Sequence, residues 1–174
     1  MCRGRLFAMI EQEAVMRITI LAVGRLKEKY WKEALEEYAR RLSRYGKIDL
    51  LEVEDEPTPE KASPKEEEQI KDREGERLLA RLPKDAYLIA LAIKGKAFDS
   101  PGMARRIQEL GVAGQSHLCF VIGGSLGLAP AVLEKAREHW SFSPLTFPHQ
   151  LMRVILLEQI YRSFRIARGE PYHK

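Results

Sequence analysis

Residues 117–128 read HLCFVIGGSLGL, and this stretch decides the fold. Five of the first six residues are apolar, and the run stops at two glycines. That is the pattern of a short, fully buried β-strand over 117–122. The glycines of Gly123-Gly124-Ser125-Leu126-Gly127 then turn the chain, and Pro130 opens a helix that the pattern carries to about Trp140. Upstream, Asp99 or Ser100 with Pro101 starts a helix ending near Leu110, before Gly111. Before it lies a strand over 87–93, running into Lys94-Gly95-Lys96. Further back, Ser63-Pro64 caps a highly charged helix that stops ahead of Pro83. Residues 54–65, with three prolines, form a polar loop behind a strand over 48–53. Trp31, Leu35, Tyr38, Leu42 and Tyr45 recur at steps of four and three, which predicts a helix over 29–45 stopped by Gly46. RITILAV at 17–23 is the first strand. Downstream, 141–148 is a loop with a short strand, and a last helix covers about 149–167. Strands and helices alternate throughout, so the fold class is α/β, with a mainly parallel sheet covered by helices on both faces.

The chain has 174 residues, 45% hydrophobic and 31% charged, which suits one globular domain. A chain of this length buries about 70% of its unfolded surface and needs no disulfide or metal to hold a core. Its two cysteines agree: Cys2 sits in a tail and Cys119 in an apolar run, with no CxxC pair and no His/Cys cluster. A reducing, cytoplasmic setting without a metal follows. No apolar run approaches the ~18 residues of a membrane span. Residues 1–15 lack an adequate apolar region and cleavage site for a signal peptide, and are expected to be an extension outside the domain that starts at Met16.

The net charge is +4, unevenly spread. Residues 25–47 hold eight basic side chains against four glutamates, and 148–174 five against two. Residues 52–85 instead carry twelve acids and seven bases. Basic ends around an acidic middle suit a polyanionic partner on one face, although solvated helix faces produce the same pattern.

Three loops follow the carboxyl ends of strands, at 91–96, 123–127 and 142–148, where open α/β sheets bind ligands. Glycines in the second let backbone N–H and C=O groups approach an adenosyl or phosphate group. A tight connection explains them equally well, and neither GxGxxG nor GxxxxGK[ST] is present.

The run FVIGGSLGL at 120–128, then LTFPHQLMRVILLEQIYRSFRI at 145–166, GEPYHK at the end and MRITILAVGRLKEKYW at 16–31 strongly resemble one family. It is the bacterial ribosomal RNA large subunit methyltransferase H family of the SPOUT superfamily, and the resemblance spans Met16 to Lys174. It implies a single SPOUT domain over 16–174 with a C-terminal trefoil knot in about 90–174, which the rarity of knots argues against otherwise. It also implies S-adenosylmethionine as methyl donor and N3 of a pseudouridine in 23S ribosomal RNA, in the assembled ribosome, as acceptor. On matching positions Leu91, Gly123, Phe142, Ser143, Pro144, Leu145, Thr146 and Phe147 would hold the donor. Leu126 stands where the pattern has an acidic residue, so no carboxylate role carries over to it.

Methyl transfer to N3 requires alignment, exclusion of water and loss of the N3 proton. The resemblance places Arg153, Tyr172 and His173 in the active site. His173 is a candidate base and Arg153 a candidate anion holder; a surface ion pair and a disordered tail are the plain alternatives. A partner subunit would complete the site, so a homodimer is expected, with Leu151, Ile155 and Tyr161 as interface or core residues. His149 reads as a cap or structural histidine, and Trp31 and Trp140 as packing residues. Arg25, Lys27, Lys29, Arg162, Arg165 and Arg168 are the candidate phosphate contacts. A SPOUT enzyme acting on transfer RNA and a non-catalytic ribosome-binding factor are the competing readings.

Overall fold

The structure is a computed structural model that describes residues 15–173. The expected extension, apart from Val15, lies outside the described residues, as do Cys2 and Lys174. Ten elements alternate along the chain: β1 (Met16–Val23), α1 (Lys29–Leu42), β2 (Gly46–Val53), α2 (Pro64–Arg81), β3 (Tyr87–Ala97), α3 (Ser100–Val112), β4 (His117–Ile122), α4 (Pro130–Lys135), β5 (Glu138–Ser141) and α5 (His149–Ala167). The five strands form one sheet in the order β2-β1-β4-β3-β5, and every pairing is parallel.

Each strand side chain alternates between two faces, and each face meets a different set of helices. Ile18, Ile20 and Ala22 of β1 and Leu118, Phe120 and Ile122 of β4 pack with Leu35 and Leu42 of α1, Met103 and Ile107 of α3, and Leu156 and Leu157 of α5. The residues between them, Leu21, Val23, Cys119 and Val121, pack with Leu78 of α2 and Val132 of α4. Burial on both faces is why these strands read as unbroken apolar runs instead of alternating ones. Cys119 is a free, fully buried thiol, and burial pushes it up to about 12, so it behaves as a small apolar residue.

Several boundaries differ from the sequence reading. The helix expected over 130–140 ends at Lys135, and Glu138–Ser141 instead forms β5. The exposed edge of β3 offers it ladder hydrogen bonds, Arg137 N–H donates to Leu88 O at 2.9 Å, and Trp140 is drawn into the core at 1% exposure. The short strand thus lies at the start of the 141–148 loop region, not within it. β3 runs to Ala97, four residues further than expected, because after an irregularity between Leu91 and Lys96 it rejoins β5 at Trp140 and Ser141. α1 stops at Leu42, since Gly46 already pairs with Met16 at the start of β2. A Cβ on Gly46 would lie 2.1 Å from Met16 O, so only glycine allows this pairing.

Candidate active site

The carboxyl ends of β3, β4 and β5 open into a cavity of about 710 Å³, a size that suits a drug-sized or cofactor-sized ligand. Three loops wall it. The irregular part of β3 contributes Leu91, Ala92, Ile93 and Lys94; the turn after β4 contributes Gly123 to Leu128; the segment after β5 contributes Phe142, Ser143 and Leu145 to Pro148. His149 and Met152 of α5 and the buried Trp140 complete it.

The glycine turn is built for close backbone approach. Gly127 N–H donates to Gly124 O at 3.1 Å, and Gly127 holds φ at +87°, which only glycine adopts without strain. A Cβ on Gly123 would lie 2.6 Å from the Gly127 carbonyl carbon, so the turn folds back on itself with no room for a side chain. Behind it stands Glu74 of α2, whose Oε2 would lie 2.8 Å from a Cβ on Gly124. Glu74 is buried at 4% exposure; its Oε1 accepts from Glu56 N–H at 3.0 Å and its Oε2 has no hydrogen-bond partner. Burial pushes its carboxyl above the usual carboxylate range, and the nearby Asp55 and Glu56 charges add to that.

Another wall is set by a part-buried network. Glu138 accepts from Trp140 Nε1 at 2.7 Å, from the Tyr87 hydroxyl at 2.8 Å and from the Arg106 guanidinium. Trp140, which borders the cavity, is therefore locked by hydrogen bonding and by Phe98 and Phe120 rings at 4.9 and 5.4 Å. Ile93, Leu145 and Phe147 remain 55%, 68% and 37% exposed at the mouth.

Of the expected donor-binding residues, the cavity brings together Leu91, Gly123, Phe142, Ser143, Leu145, Thr146 and Phe147; Pro144 is exposed beside them without lining it. Apolar walls with backbone polar groups at one turn suit an adenosyl group and a sulfonium donor. Arg153 is elsewhere. Its side chain is 3% exposed, pairs with Glu52 at 2.6 Å and donates to Val23 O and Gly24 O at 2.8 and 2.6 Å. It ties α5 to the ends of β1 and β2, and burial lowers its pKa.

Tyr172 and His173 lie along α5, away from the cavity of their own chain. The Tyr172 ring meets Tyr161 at 5.0 Å and lies under the Arg162 guanidinium, and its hydroxyl donates to Glu158 at 3.2 Å. Burial, then the Glu158 charge, pushes that hydroxyl up to about 12. His173 is exposed, with Nδ1 3.4 Å from Arg162. Four of the six expected phosphate contacts are already in ion pairs: Arg25 with Glu54, Lys29 with Glu33, Arg162 with Glu158 and Arg165 with Glu170. Arg168 covers the Tyr45 ring. Lys94, within the expected 91–96 loop, stands at the cavity edge but is not among the expected phosphate contacts, because a lysine after a strand carries no signal by itself. His149 was read as a cap or structural residue, yet it lines the cavity without a capping hydrogen bond. Among the described residues no cluster of His, Cys, Asp or Glu could hold a metal ion, and no helix is long and apolar enough to cross a membrane.

Residues 16–173 match the family described as "Predicted SPOUT methyltransferase". The chain is 55% identical over 159 residues to the ribosomal RNA large subunit methyltransferase H of Clostridium acetobutylicum, covering 91% of this chain and 100% of that protein. The protein of the same name from Bacillus pumilus is also 55% identical, with the same coverage. A crystal structure of a probable methyltransferase from Bordetella pertussis aligns over 90% of this chain and 98% of its own, at 14% identity and a TM-score of 0.49. The sequence match begins at Met16, where the sheet begins, and runs through the cavity loops and α5 to the tail, so this chain belongs to the SPOUT methyltransferase family.

Proposed function

We propose that this protein methylates N3 of a pseudouridine in 23S ribosomal RNA within the assembled ribosome, using S-adenosylmethionine, as a cytoplasmic homodimer. The observation that carries this reading is the cavity formed by the loops after β3, β4 and β5, on a chain 55% identical over its whole domain to ribosomal RNA large subunit methyltransferases. When bound, S-adenosylmethionine supplies an electrophilic methyl group. Leu91, Gly123 and the run Phe142, Ser143, Pro144, Leu145, Thr146 and Phe147 hold it, with the glycine turn offering backbone groups and the apolar side chains excluding water. Arg153 acts from within the fold by fixing the loop after β1. The trefoil knot belongs to this proposal.

The tail supports the dimer. Tyr172 and His173 are held on α5 far from their own cavity, so in this reading they reach the cavity of a second copy, whose mouth presents exposed Ile93, Leu145 and Phe147. Leu151 and Ile155 are half-buried and available to that contact, whereas Tyr161 is buried in the core of its own chain. Of the six candidate contacts, Lys27 and Arg168 make no ion pair among the described residues, and neither does Lys94 at the cavity edge; these three are available to phosphate. Calorimetric titration with S-adenosylmethionine, with S-adenosylhomocysteine and NADH as comparators, tests the site: the sulfur ligands bind saturably and NADH does not. Labelled-methyl transfer to ribosomes, and not to transfer RNA, tests the substrate. Transfer to transfer RNA alone favours a related SPOUT activity, and no transfer with no donor binding favours a non-catalytic ribosome-binding factor.

A further inference from the structure

We infer that His149 is the general base of the reaction, placed where α5 begins at the cavity wall to take the N3 proton of the target base. The inference rests on the reading above for its substrate. The step balances: as the N3–H proton moves to the imidazole, its electron pair forms the bond to the methyl carbon, and the C–S bond breaks with its pair leaving on sulfur as neutral S-adenosylhomocysteine. The imidazolium then returns its proton to water.

Four histidines are present, and the structure separates their roles. His117 pairs with Thr19 at 2.8 Å at the amino-terminal end of the sheet, opposite the cavity. His139 is bonded through Nε2 to Leu133 O at 2.8 Å. His173 is exposed beside Arg162. His149 alone lines the cavity, half-buried, with no hydrogen-bond partner among the described residues. Its Nε2 would lie 3.3 Å from a Cβ on Gly24, so the ring sits between the loop after β1 and the third cavity loop.

A base must be neutral before it acts, and the surroundings of His149 keep it so. Burial, then the Arg153 guanidinium one helical turn along α5, lower its pKa; Asp55, in the loop after β2, opposes them. Glu52 of β2 is committed to Arg153, and the glycine turn presents only Ser125 and Leu126 side chains, neither charged. Arg153 is thus a positioning residue whose charge biases His149 toward the proton-accepting form.

The test uses the full chain with ribosomes and donor, and the variants His149→Gln, His149→Asn and His173→Gln. Donor binding by calorimetry is expected within about threefold of wild type for at least one His149 variant, while its single-turnover methyl transfer falls about 100-fold or more. The wild-type rate should drop on the acid side as one group protonates, and this limb should vanish in the His149 variants and persist in His173→Gln. Histidine C2–H resonances, assigned by the loss of one signal in His149→Gln, should show His149 titrating below an ordinary imidazole. A near-normal rate in His149→Gln, an acid limb lost only in His173→Gln, or an unshifted His149 resonance overturns the inference. Loss of donor binding in both His149 variants also overturns it, making His149 a binding residue. Wild-type protein that transfers no methyl to ribosomes overturns the underlying function instead, and is recognised before any variant is compared.

Discussion

The guanidinium of Arg153 shows how much one side chain carries in this molecule. It crosses from α5 to the ends of β1 and β2 and satisfies two backbone carbonyls and Glu52 at once. Arg153→Ala removes its hydrogen bonds and strands those acceptors, and should cost about 3 kcal/mol in urea unfolding. Glu74 presents the opposite case, a buried acid with one oxygen unpaired. Its folded pKa lies above its unfolded value, so the folded state binds its proton more tightly. Its contribution to stability therefore falls as pH rises from the unfolded value through the folded one, and the full penalty applies at neutral pH. Glu74→Gln should raise the urea midpoint at pH 7 and flatten the decline in stability between pH 4 and 7. A midpoint below wild type at pH 7 would show that the Oε1 contact with Glu56 N–H outweighs the buried charge. Neither arrangement was visible in the sequence, since what surrounds residues 74 and 153 comes from elements up to 130 positions away.

Among the elements, helix starts were legible and edges were not. Ser63-Pro64 announced α2, and the structure shows the complete capping box: Glu66 N–H donates to Ser63 Oγ at 3.3 Å, and Ser63 N–H to Glu66 Oε2 at 2.7 Å. Ser63→Ala should cost about 1 kcal/mol by thermal or urea unfolding. β5, in contrast, was read as the end of a helix, because EHWS has no strand pattern of its own and acquires one only from the free edge of β3. Two glycines distinguish kinds of constraint. Gly95 has φ open to any residue but faces β5 backbone at 2.7 Å, so Gly95→Ala forces two strands apart and should cost about 1–3 kcal/mol and weaken donor binding. Gly127 has nothing within 4 Å but a positive φ, so Gly127→Ala should cost about 1 kcal/mol of strain. Paired calorimetry and unfolding of the two variants checks this order.

At the scale of the whole molecule, the parallel sheet and its two helical layers place all three cavity loops at one end, while the tail is held on α5 away from them. A chain truncated after Arg168 should bind S-adenosylmethionine as wild type does and lose ribosome methylation. Sedimentation should show the full-length protein as a pair of 20.0 kDa chains. By itself the sequence determined the α/β class, the alternation of elements and the three loops at strand ends, because buried strands, capped helices and glycine turns are written in residues close together along the chain. Its motifs also named the family. Tertiary structure alone decided that 138–141 is a strand, that Arg153 is a buried clamp, that His149 faces the cavity and that Tyr172 and His173 do not. Each of those outcomes depends on which distant backbone edge, carbonyl or charge the fold brings alongside, and no local pattern specifies that neighbour.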